Sequence, residues 1–283
     1  MHIDGPLDHY RGARFDWTGK LVQLKFQNVT LGGAEDPDCE NDDYLGKAFY
    51  NEFGIDYALG FNDAPIGGWF HKIGIGLLKK EDSLYHISKT YEIKPASFQI
   101  KTEEDRLIID CVSDIINGYG YVLKKTFVLK DSGFRIEYVL ENTGEKTIVT
   151  DEYVHNFIAI NEEHIGTFCT LKLPFQLQPA LFEETLNPEQ KVDVGETYIK
   201  FKSGPKVPFF FSNLSGDETI DASWELIDLK HNIGIRETGR FKTDKVNVWG
   251  SKHVICPELF FKIDLQPGAS AAWSRDYEVY KVS

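Results

Sequence analysis

The feature that most constrains this chain is a period of two. In FRIEYVLEN, Phe134, Ile136, Tyr138 and Leu140 fall on one parity, and Arg135, Glu137 and Val139 on the other. That alternation describes a half-buried β-strand. KDSG precedes it as a hairpin turn, with Gly133 free to take a positive φ, and NTGEK follows as a second turn. The pattern recurs along the chain, and no strong amphipathic helix interrupts it. The runs Leu21–Val29, Leu84–Ile93, Phe98–Lys101, Leu107–Val112, Tyr119–Leu129, Thr219–Leu229, Gly234–Glu237, Phe241–Trp249, Phe260–Leu265 and Ala271–Tyr280 all predict strands. At this spacing the chain carries roughly 15 to 20 strands. Such strands, without intervening helices, predict antiparallel sheets packed face to face as one large all-β sandwich. The stretch 174–197 is expected to be a long connection or a short helical excursion. No linker divides residues 1–283, so a single domain is expected.

Composition narrows the partners. Asp and Glu outnumber Lys and Arg by 44 to 31, a net charge of −13. That field repels polyanions, so nucleic acid and anionic membranes are not expected partners, and a neutral ligand is easier to hold. Aromatics reach 13%, an amount that suits strands and ligand clefts. Cys39, Cys111, Cys169 and Cys256 are scattered, without zinc-site spacing, and are expected to be thiols in a reducing cytoplasm. The start of the sequence shows no apolar leader and no run is long enough to span a bilayer. Asp36, Asp38, Glu40, Asp42 and Asp43 form an acidic loop that lacks the ligand spacing of an EF-hand, so no metal site is expected there. Phosphate-loop, dinucleotide, hydrolase-elbow and zincin motifs are absent.

Four constellations could carry chemistry. In DEYVHNFIAIN, Asp151, Tyr153, His155 and Phe157 share one parity, so Asp151 is expected beside His155, favouring its protonated form. The bland alternative is a core histidine bonded to a backbone carbonyl. In VICPELFF, Glu258 lies within an apolar run, where burial raises a carboxyl pKa toward the range of a general base. The alternative is an edge glutamate facing solvent, since Pro257 marks a strand edge or bulge. In YRGARFDWTG, Arg14 is expected to face a ligand with Asp16 holding its guanidinium, while Phe15 and Trp17 face the core. The segments YNEFGIDYALGFND and GGWFHKIGIGLLKK offer Glu52 and His71 as ligand-binding residues, with Trp69 and Lys72 nearby.

With these residues in view, the stretch YVLKKTFVLKDSGFRIEYVLENTGEKTIVTDEYVHNFIAI resembles the middle of galactose mutarotase-like (aldose 1-epimerase) proteins, where an N-T-G turn leads to a strand bearing a catalytic histidine. WELIDLKHNIGIRE and ICPELFFKIDLQPGASAAWSRDYEVY resemble the family's C-terminal third, in which a catalytic glutamate precedes a strand and an L-x-P-G-x-S turn. The resemblance implies a supersandwich fold and a sugar substrate. It places Glu258 as the general base acting on the anomeric hydroxyl and His155 as the general acid acting on the ring oxygen, with no metal or organic cofactor. Arg14, Glu52, His71 and Asp151 are then expected around the sugar. The surroundings of His71 and Arg14 depart from the family pattern. The competing expectation is a carbohydrate-binding protein on the same fold without turnover. Oligomeric state is not legible.

Overall fold

The computed structural model describes residues 1–39, 44–216 and 218–282. Among them are 23 strands and one 3₁₀ turn, Pro179–Leu181. The strands form an antiparallel ten-stranded sheet, a six-stranded sheet, a four-stranded sheet and a three-stranded sheet. The alternating sequence patterns account for the largest of these. Phe134, Ile136, Tyr138 and Leu140 are all buried on one side of the strand Gly133–Asn142, which pairs with Tyr121–Lys130 and Ser270–Lys281.

The six-stranded sheet packs on this large one. Its strands Phe49–Phe53 and Ile148–Asn156 pair antiparallel, with Glu52 opposite Tyr153 and Tyr50 opposite His155. Both faces of this pair are buried, and they do different things. The inner parity carries Phe49, whose ring meets Phe134 at 5.5 Å and Tyr277 at 5.3 Å. It also carries Glu152 and Asn156, which enter a fully buried polar network. Arg275 reaches Glu152 at 2.7 Å and Glu237 at 2.6 Å. Trp273 and Trp224 donate to the same two carboxylates, and Asn156 donates to Glu237. Buried charges survive when every partner is present, so this network fixes the position of the Ile148–Asn156 strand. The outer parity carries Tyr50, Glu52, Tyr153 and His155. The strand Ile255–Leu259 lies alongside, at the edge of the four-stranded sheet, with Glu258 opposite Asn247. An edge position is where a proline in a strand is tolerated, and Pro257 sits there.

Three local expectations are corrected. Leu84–Ile93 is a series of turns, and the strand begins only at Ile93. There the amide of Leu84 donates to Asp82 and that of Ser88 to His86, local bonds that compete with a ladder. Gly234–Glu237 and Phe241–Trp249 are not separate units. One strand runs Ile233–Thr243, and the break comes at Asp244–Lys245, where Thr243 Oγ1 bonds the backbone of Lys245. Gly133 does not use a positive φ. A Cβ there would lie 1.9 Å from the carbonyl of Tyr277, so glycine permits close approach of the neighbouring strand.

None of the described cysteines forms a disulfide. Among the described residues no helix is long and apolar enough to cross a membrane, and no group of three His, Cys, Asp or Glu side chains is placed to hold a metal ion. Of the acidic loop, Asp38 pairs with Lys252 at 3.1 Å. Glu40, Asp42 and Asp43 lie outside the described residues.

Candidate functional site

The outer face of the Phe49–Phe53 and Ile148–Asn156 pair is roofed by residues 10–18 and by the three-stranded sheet. His155 and Glu258 meet beneath that roof. His155 Nε2 lies 3.2 Å from Glu258 Oε1, and the two residues are 4% and 3% exposed. Their surroundings are aromatic. The His155 ring stacks on Phe157 at 4.0 Å, and Trp249 meets it edge-on at 5.8 Å. Phe260 stacks on Tyr153 at 4.5 Å. Removal from water disfavours the charged form of each group. Burial, with Arg14 nearby, holds the imidazole well below its ordinary pKa. Burial pushes the Glu258 carboxyl up to about 8, although Arg14 and the side chain of Asn247 pull the other way. Both shifts favour the arrangement with Glu258 protonated and His155 neutral. His155 Nδ1 is buried without a hydrogen-bond partner.

A second cluster adjoins it. Arg14 reaches Glu35 at 2.9 Å and Glu52 at 3.4 Å, and its guanidinium covers the Phe15 ring at 4.4 Å. Burial works against that charge, but Glu52 and Glu35 outweigh it and hold Arg14 cationic. Tyr153 donates its hydroxyl to Glu52 at 2.7 Å. Lys72 donates to the other Glu52 oxygen at 3.4 Å and to Tyr85 at 3.0 Å.

The sequence placed His155, Glu258, Arg14 and Glu52 in one site, and the structure brings these four together. Two expected pairings are replaced by others in the structure. Asp151 is not the partner of His155. It shares the parity, but its electrostatic neighbours are Lys245, Asp56, Glu52 and Lys72, and burial raises its carboxyl pKa. His155 is accordingly held neutral, not charged. Asp16 does not hold Arg14 either, because residues 10–18 form irregular backbone in which strand parity has no meaning. Asp16 instead pairs with Lys125 at 2.8 Å, and Phe15 lies under the guanidinium.

His71 is also corrected. On the strand Trp69–Lys72 it points away from the site, donating from Nε2 to the Tyr119 carbonyl at 3.1 Å. Burial lowers its pKa to about 4. Its neighbour Lys72, on the opposite parity, enters the site. The lysine was visible in the sequence, and the alternation along WFHK was the signal that one of the two must face away. Glu35 and Tyr85 come from irregular segments and carried no sequence signal.

No family model matches the chain, and no curated protein matches it in sequence. Solved structures do match in shape. A galactose mutarotase-like protein of Clostridium acetobutylicum superposes with a TM-score of 0.55 at 13% identity, covering 92% of this chain and 89% of that one. One from Lactobacillus casei ATCC 334 gives 0.53 at 12%, covering 92% and 99%. A candidate aldose 1-epimerase of Escherichia coli K12 gives 0.58 at 11%, again covering 92% and 99%. At such identities the likeness speaks for architecture, and the conclusion it supports is that this chain has the galactose mutarotase-like β-sandwich fold.

Proposed function

We propose that the protein interconverts the anomers of an uncharged aldose, as an aldose 1-epimerase does, with Glu258 and His155 as its acid–base pair. The observation that carries this reading is the 3.2 Å contact between these two groups in a buried aromatic setting. Mutarotation needs one proton taken from the anomeric hydroxyl and one given to the ring oxygen, with no net gain or loss. A pair holding a single proton between two groups of shifted pKa is suited to that exchange. Passage of the proton from Glu258 to His155 creates a carboxylate base and an imidazolium acid. The carboxylate then takes the O1 proton while the imidazolium protonates O5. The C1–O5 bond breaks, the carbonyl turns about the C1–C2 bond, and reversal of both transfers closes the ring on the other face. The sugar must part the two side chains to enter, and catalytic hydrogen bonds in an empty site commonly rearrange on binding.

Arg14 steadies the developing carboxylate by its charge, and Glu52, Tyr153 and Lys72 offer donors and acceptors to sugar hydroxyls. Arg14 and Lys72 are each already held by carboxylates, and Lys245 lies 3.7 Å from Asp56. A phosphorylated or acidic sugar would therefore compete for cations that are committed, which favours a neutral substrate. The chain is read as one catalytic unit, because its site draws on strands from the beginning, middle and end of the sequence. The buried thiols of Cys111, Cys169 and Cys256 favour a reducing, cytoplasmic setting.

The alternative, sugar binding without turnover, uses the same residues but not the proton exchange. Polarimetry of freshly dissolved neutral, phosphorylated and uronic aldoses decides between them. Acceleration of a neutral aldose by the wild-type protein supports the proposal, and saturable binding of such a sugar without acceleration replaces it with the binding reading.

A further inference from the structure

A cleft of about 240 Å³ is lined by Asp56, Tyr57, Phe61, Asn62, Leu84 and Tyr85, one hydrogen bond away from Lys72 of the site. Two of its apolar walls face water to an unusual degree. Tyr57 is 73% exposed and Leu84 is 77% exposed. Large apolar side chains held in solvent around a concavity mark a binding surface more often than chance scatter.

The cleft is tied to the acid–base site along two routes. Tyr85 lines it and accepts a hydrogen bond from Lys72, which also reaches Glu52. Asp56 pairs with Lys245, whose ammonium lies 4.4 Å over the Phe260 ring, and Phe260 stacks on Tyr153. The chain itself makes the connection short. Glu52 ends in the site, Gly54 turns with φ +60°, and Tyr57 follows in the cleft. The turn is pinned by the Gly54 amide, which donates to the Asp151 carbonyl at 3.0 Å. Asp151 Oδ1 is buried without a donor, and its charged neighbours come from both regions, Glu52 and Lys72 on one side and Asp56 and Lys245 on the other.

We infer that this cleft is a subsite for a second sugar ring, and that the substrate is the reducing end of a neutral disaccharide or longer oligosaccharide. The inference rests on the anomerisation reading and names its substrate class. The apolar face of a pyranose fits against Tyr57 and Leu84, while Asp56 and Asn62 meet its hydroxyls. Chemistry at C1 and O5 leaves C4, across the ring, free to carry the second sugar outward.

The test compares kcat/KM for mutarotation of glucose with cellobiose, and of galactose with β-1,4-galactobiose, for wild type and Tyr57→Ala. Wild type should favour the disaccharide of a pair by about tenfold, the order expected of one well-made pocket contact. Tyr57→Ala should remove that preference while leaving the monosaccharide rate unchanged. Equal kcat/KM for both members of each pair in wild type, or equal loss for both in Tyr57→Ala, overturns the subsite. If none of the four sugars is accelerated, the anomerisation reading fails, and saturation-transfer NMR with cellobiose decides the cleft separately. Binding that is lost in Tyr57→Ala retains the second-ring site, whereas no binding, or binding indifferent to the substitution, overturns it.

Discussion

Replacing Glu258 by Gln should stabilise the protein in alkaline solution while removing its proposed base. The native state keeps a proton on this carboxyl up to about pH 8, whereas an unperturbed glutamate releases it near 4.5. The unfolded chain thus gains free energy from ionisation that the folded chain cannot. For a group whose folded pKa is raised, the stabilising contribution is complete below the unfolded pKa and is lost as pH rises through the folded one. Each pH unit in that window is worth about 1.4 kcal/mol. Between pH 5 and pH 8 the wild type should therefore lose about 3.5 kcal/mol that Glu258→Gln does not lose. The lowered pKa of His155 works in the opposite sense, withdrawing stability as pH falls below the ordinary histidine range, but His155 is present in both proteins and largely cancels. Urea denaturation of the two proteins at pH 5 and pH 8 measures the quantity directly. The stability of the variant relative to wild type should rise by about 3–4 kcal/mol across that interval. Parallel pH profiles would mean that Glu258 titrates as a hydrated carboxyl, and the closed, desolvated pair described above would be refuted.

Two further substitutions separate roles within the site. His155→Asn should lower the maximal rate by about 10²-fold or more with a smaller effect on KM, since ring-oxygen protonation develops only in the transition state; steady-state polarimetry on the active aldose checks it, and a pure KM effect would reassign His155 to positioning. Arg14→Ala leaves Glu35 and Glu52 without their shared cation and should destabilise the fold by about 3–5 kcal/mol, whereas Arg11→Ala, at an exposed arginine, should change stability by less than about 0.5 kcal/mol, both read from chemical denaturation midpoints.

Much of the architecture was legible because strand periodicity depends on local sequence alone. FRIEYVLEN declares its buried face without reference to any other strand, and DEYVHNFIAIN correctly separates Tyr153 and His155 from Glu152 and Asn156. The pairing of strands was not legible, and the site depends on it. Asp151 lies on the same parity as His155, but the carboxyl group that meets the imidazole comes from a strand about a hundred residues later. Asp16 lost its expected role for a different reason. The backbone of residues 10–18 is held by bonds such as those that the amides of Phe15 and Arg14 donate to the Tyr10 hydroxyl, and period-two reasoning applies only to extended chain. His71 and Lys72 show the limit of composition. Both are polar residues in a glycine-rich segment, and only the sheet register decides which faces the site. The buried network of Arg275, Glu152 and Glu237 was hidden for the same reason, because each member looks like an ordinary surface charge until three strands are assembled.

The most direct test of the central claim is the exchange rate between α and β anomers, measured by two-dimensional NMR exchange at equilibrium on the neutral aldose that polarimetry identifies. Wild type should accelerate exchange well above the buffer rate, and Glu258→Gln, folded as judged by an unchanged circular dichroism spectrum, should reduce that acceleration by about 10²-fold or more. Exchange at the wild-type rate in Glu258→Gln would contradict the account, because the proposed proton transfer cannot proceed through an amide.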